Sequence, residues 1–194
     1  MTSAIRWRII VLQVVAILVL ALGSGAAFYA NDFTQTQIHD QLAPQQIVFP
    51  ASAAQGLPSD LSQYAGQQVL TGDQAHAYAE KFIGLHLKEI GQGHPYSYWS
   101  GQARAATDKA VAAKDQGIAD TLFKGESLRA MLNQAWTFSV FGQIAYFAGI
   151  GMAIAGVVVL LALAYEITGM VTSRKNRASR VAASTPAPTL SKIS

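Results

Sequence analysis

The side chains best suited to chemistry in this 194-residue chain are four histidines, at positions 39, 76, 86 and 94. His76 and Glu80 stand four apart, and His86 and Glu89 three apart. On a helix both spacings put two ligands on one face, and His39-Asp40 or His94 could complete a zinc or copper site. No His-Glu-x-x-His occurs, and histidines that hydrogen-bond to neighbours are the plainer use of the same residues. A nucleophilic serine has no strand-turn-helix setting here. Gly23-Ser24-Gly25 is the nearest match, and it lies inside an uncharged stretch where it reads as a packing feature. Glycines 149, 151 and 156 fall in a second uncharged stretch and form no phosphate-cradling loop. Cysteine is absent, so disulfides and thiolate metal sites are excluded. Tyr96, Tyr98 and Trp99 cluster at a helix start, either as a binding surface or as core filling. The sequence therefore assigns no catalytic, cofactor-binding or metal residue, and no cofactor; an enzyme is the least favoured reading.

Those residues sit between two apolar runs that must dictate how the chain is placed. Residues 9–30 and 144–165 carry no charge. Each run has 22 positions, which as a helix reaches about 33 Å at 1.5 Å per residue, enough to cross a bilayer core. Backbone in lipid has to satisfy its own hydrogen bonds, so both are expected to be helices. The first is read as a retained anchor, with Phe28-Tyr29 as an interfacial pair. Its alternative is a cleaved signal, with small residues at 23–27 as the cleavage region. Gln13, Ala16, Leu20, Gly23 and Ala27 share one helical face; so do Ala145, Gly149, Ala153 and Gly156. Such rows let helices approach closely in lipid, and simple abundance of Gly and Ala in membrane helices explains them equally well. No ionisable residue lies inside either run; Gln13 and Gln143 are the large polar side chains near them. Transport by this chain alone is not supported.

Charge is segregated along the chain. Arg6 and Arg8 precede the first run; Arg174, Lys175, Arg177 and Arg180 follow the second; the middle is net acidic. Both termini are therefore expected in the cytoplasm and the middle outside, in a plasma membrane. A pI near 9.2 does not imply nucleic acid, because the basic residues flank apolar runs instead of lining a folded face.

The organisation that follows is a cytoplasmic leader at 1–8, a transmembrane helix at 9–30 and an irregular extracytoplasmic connector at 31–70. An extracytoplasmic helical lobe at 71–137, a second transmembrane helix at 138–167 and a disordered basic cytoplasmic tail at 168–194 complete it. Pro44, Pro50 and Pro58 break up the connector, and Gln46–Phe49 and Gln67–Leu70 have the composition of a brief hairpin. Ile47, Val48 and Phe49 are expected to pin the connector to the helices. A helix over 71–90 is capped by Thr71 or Asp73 and closed by Gly91. Its apolar residues form two adjacent rows, a face wide enough for two neighbours. A next helix is expected from Ser97 to about Lys124, with Trp99, Ala103, Ala106, Ala110, Ala113 and Gly117 as a small-residue seam and an Arg104–Asp108 pair outside. Lys124-Gly125 is expected to break it, and Ser127 to cap a helix that enters the membrane without interruption. The fold class is all-α membrane protein, the last lobe helix continuous with the second span.

The string LRAMLNQAWTFSVFGQIA at 128–145 resembles the entry to the second span in a group of small actinobacterial two-span membrane proteins of unknown function. Some members carry an aromatic ring-opening dioxygenase label. That label implies iron held by histidines and a carboxylate, an arrangement this sequence lacks. The resemblance extends to the plan of basic start, span, outer helical segment, span and basic tail, and permits an accessory subunit of a respiratory complex. The expected function is a non-catalytic accessory or scaffold subunit that binds membrane or envelope proteins, or a further copy of itself. The alternative is an extracytoplasmic metal- or ligand-binding sensor using the outer histidines and the Tyr96–Trp99 aromatics.

Overall fold

The computed structural model describes residues 3–184. Nearly all of them are helical, and no strand occurs among the described residues. Five α-helices carry the fold: α1 (Ser3–Leu42), α2 (Gly72–Ala77), α3 (Gly84–Ile90), α4 (Tyr96–Ala105) and α5 (Lys109–Ser184). Both α1 and α5 contain a window long and apolar enough to cross a membrane. Only 6% of each window is buried, whereas the core helix of a soluble protein would be mostly covered. The fold is that of an all-α membrane protein. The chain divides into two compact units, one of residues up to 26 with those from 148 onward, the other of 27–147.

In the first unit the small residues are used where α1 meets α5. Ser24 is buried, and its hydroxyl donates to the Gly149 carbonyl at 2.9 Å. A Cβ on Gly23 would stand 2.8 Å from the Met152 sulfur, and one on Gly156 would stand 3.7 Å from Leu20 Cβ. Close approach without side-chain bulk is what packing in lipid requires. Leu20, Gly23, Gly149 and Gly156 of the two rows thus lie at an intramolecular contact.

The second unit, a helical lobe, has a conventional apolar core. Ile38 and Leu42 of α1, Leu87 of α3 and Leu122 and Leu132 of α5 are buried together. The connector contributes Phe49, Leu57, Leu61 and Val69 to the same cluster. Phe49 lies between Tyr64, stacked at 5.1 Å, and Tyr78, edge-on at 5.1 Å. The expected hairpin is reduced to one antiparallel bridge, Val48 with Gln68. It is held by Phe49 N–H donating to the Gln67 carbonyl and Val69 N–H to the Ile47 carbonyl. Val48 itself is half exposed, so of the three expected anchors Phe49 is the main one and Ile47 assists.

Thr71 caps α2 as expected. Its hydroxyl accepts from Gln74 N–H while the Gln74 side chain accepts from Thr71 N–H, a reciprocal capping box. Between α2 and α3 the chain makes a π turn, Tyr78–Ile83. Its looser winding matters to the core. Ala75, Ala79, Ile83 and Leu87 are spaced by four, a row that drifts around a regular helix of 3.6 residues per turn. The wider turn keeps all of them on the buried side. One row is therefore buried, not two equal ones; Leu85 and Ile90 are exposed.

Four boundaries depart from the sequence expectation. α1 runs to Leu42, into the stretch expected to be irregular, because its first breaker is Pro44. The expected 97–124 helix ends at Ala105, and α5 starts at Lys109 with Asp108 accepting from the Ala110 and Val111 N–H groups. Asp108 is thus a helix cap and not a partner of Arg104, and the small-residue seam is cut in two, with Ala110, Ala113 and Gly117 exposed. Lys124-Gly125 does not break α5. A side chain on Gly125 would overlap Leu87, so this glycine serves close helix contact, and the Ser127 hydroxyl donates to Phe123 O instead of capping. Finally, α5 continues to Ser184, through a stretch expected to be disordered; the remainder of that tail, 185–194, lies outside the described residues.

Candidate functional site

The densest polar cluster of the lobe forms where the π turn faces α5. Glu80, within the π turn, receives Arg129 through both carboxylate oxygens, by Nε at 3.1 Å and by the second guanidinium nitrogen. Asn133, one helical turn on along α5, donates its amide to Glu80 Oε1 at 2.6 Å. With its NH2 so engaged, Asn133 has its carbonyl left to accept from His76 Nδ1–H at 2.9 Å. The His76 ring stacks on Trp136 at 4.1 Å between centroids. Glu126 adds a second carboxylate to Arg129 at 3.4 Å. The Arg129 and Asn133 hydrogen bonds hold the Glu80 carboxyl below the usual carboxylate range.

This arrangement spends the histidine–carboxylate spacing on structure. Glu80 is held by Arg129 and Asn133, so His76 and Glu80, four apart, both join α5 through Asn133. His86 donates to the Phe82 carbonyl at 2.8 Å in its own helix. His94 stacks on Tyr98 at 4.0 Å, and His39 meets Asp40 at 3.4 Å in the open. Among the described residues no three His, Asp or Glu side chains converge as ion ligands. Trp99 donates its indole N–H to the Gly91 carbonyl at 2.8 Å and so ties α4 to the end of α3, while Tyr96 and Tyr98 are partly exposed beside it.

A second feature was not legible in the sequence. A groove of about 810 Å³ runs between the C-terminal part of α1 and the 128–138 stretch of α5. Ile38, Leu42 and Leu132 form a buried floor. Phe33, Met131 and Phe138 stand exposed on its walls, Met131 at 67%. Gln37, Gln41 and Gln134 are exposed along the rim, and Asp40 is the one charged residue of the lining. The missed signal was the continuation of α1 past Ala30, without which there is no second wall.

No protein-family model, curated protein or solved structure matches this chain. The geometry alone therefore carries the functional reading. Among the described residues, the cluster around Glu80 joins elements of the lobe, and the groove presents exposed apolar side chains.

Proposed function

We propose that this chain is a non-catalytic accessory or scaffold subunit of a bacterial plasma membrane that binds other membrane or envelope proteins. It crosses twice, with both termini in the cytoplasm and the 31–137 region outside. The observation that carries the reading is the groove of the lobe, where Phe33, Met131 and Phe138 remain exposed above a buried apolar floor. Exposed apolar surface of this kind, rimmed by polar residues, marks interaction sites.

Two further features support it. The 128–145 string that resembles small two-span membrane proteins contains the α5 residues of the groove, so the resemblance falls on the surface proposed to bind. A respiratory complex is one assembly that this resemblance permits. A retained first span is supported by Ser24 and Gly23, whose contacts with Gly149 and Met152 cleavage near residue 27 would remove. Orientation rests on the basic residues at 6, 8, 174, 175, 177 and 180.

Purification of the tagged protein from native membranes in mild detergent, with and without prior crosslinking, tests the reading. A defined partner or a homo-oligomer in stoichiometric amount is expected. A strictly monomeric protein with nothing crosslinked to it overturns the proposal.

A further inference from the structure

Resting on that reading, we infer that the groove of the lobe seats one amphipathic helix of a partner polypeptide, apolar toward Leu132 and bearing a Lys or Arg that meets Asp40. The shape argues for a helix. Two walls of the groove are helices, the connector adding Pro44, Gln45 and Ile47, and on α5 the lining positions Leu128, Met131, Leu132, Ala135 and Phe138 follow one another at spacings of 3, 1, 3 and 3. That is the stripe of a helix whose seam accepts another helix, and here the stripe is part-covered by α1 at its floor and open above. Leu132 is 2% exposed and Met131 67%, so the stripe continues outward past what α1 covers.

The electrostatics choose the occupant. Asp40 is exposed, and among the described residues the only basic group within 4 Å of its carboxylate is its neighbour His39, at 3.4 Å. A carboxylate beside an apolar groove attracts a cation at the edge of the incoming surface and repels a lipid phosphate. Gln37, Gln41 and Gln134 add hydrogen-bonding amides along the rim, suited to the polar flank of a helix and of no use to an acyl chain. A lipid tail would fit the floor but leave the rim unmatched. A helix matches floor, rim and acid together.

Because the chain has no cysteine, single-cysteine variants report single positions. Full-length Met131→Cys is labelled in native membranes with a maleimide–benzophenone probe, irradiated, purified by its tag and digested for mass spectrometry. Gln116→Cys, exposed elsewhere on α5, serves as control. The expected adduct is one peptide of another polypeptide with apolar residues at spacings of three and four and a Lys or Arg among them. Adding Asp40→Lys lowers its yield roughly tenfold or more, and exchanging the partner's basic residue for Glu restores it. An adduct with lipid alone or with a second copy of this chain overturns the inference, as does none above the Gln116→Cys control. Equal yield with Asp40→Lys overturns it too. If a partner co-purifies while residue 131 never reaches it, the groove assignment falls and the accessory role stands; if nothing co-purifies, both fall.

Discussion

Glu80 is the residue on which the lobe's polar contacts converge. Its partners Arg129 and Asn133 lie on α5, while Glu80 itself belongs to the π turn, so the pair ties two elements separated by 49 positions in sequence. Removing the Glu80 charge leaves Arg129 part-buried with only the longer contact to Glu126, at 3.4 Å. Glu80→Gln is expected to destabilise the lobe by about 1 kcal/mol, read as an earlier loss of helical circular dichroism on heating. The pH dependence has a definite sign. The folded-state pKa of Glu80 lies below its ordinary value of about 4.5, so its contribution is complete above that value. It is lost as pH falls through the lower, folded-state pKa. The wild-type protein should therefore lose stability more steeply on acidification below about 4.5 than Glu80→Gln does. Parallel acid curves for the two proteins would show that the ion pair contributes nothing. At the other end of the same helical stretch, Thr71→Ala removes the hydroxyl of the capping box and should cost about 1 kcal/mol by the same thermal measurement.

At the scale of elements, Gly117 and Gly125 of α5 give opposite predictions. A Cβ on Gly117 meets nothing within 4 Å, whereas one on Gly125 overlaps the buried Leu87. Gly117→Ala should therefore raise stability by up to about 1 kcal/mol through helix propensity alone. Gly125→Ala gains the same propensity but displaces Leu87, and should lower stability by about 1–3 kcal/mol. Sequence spacing could not separate them. Lys124-Gly125 carries the ordinary signature of a helix end, and the packing of α3 against α5 overrides it. The Trp99–Gly117 seam failed for a related reason: Asp108 offers its side chain to the backbone two and three residues on, which starts a new helix inside the apparent repeat. Features set by local chemistry were legible, such as the Thr71 cap and the Gly91 stop, while of the expected Gln46–Phe49 and Gln67–Leu70 hairpin one bridge forms. The π turn was not, because its only sequence trace is a row spaced by four in place of alternating threes and fours. The groove was missed with it, since one wall lies on a part of α1 grouped with the proline-broken connector, although its first proline is Pro44.

For the whole molecule, the apolar runs alone make the fold class plain: 22 uncharged positions in each leave few alternatives. The histidines allowed a metal site without assigning one, and among the described residues no three His, Asp or Glu side chains converge. Distance in sequence hid the reason, since Asn133 and Arg129 claim Glu80 from another helix. Both the accessory role and the groove's occupant require a chain that crosses the bilayer twice and holds the lobe outside. Impermeant maleimide labelling of intact cells tests that topology most directly. In the cysteine-free background, Gln116→Cys on the exposed surface of the lobe should react before permeabilisation, and Ser173→Cys, beyond the second apolar run, only after it. Reaction of residue 173 in intact cells, or protection of residue 116 until the membrane is opened, would contradict it.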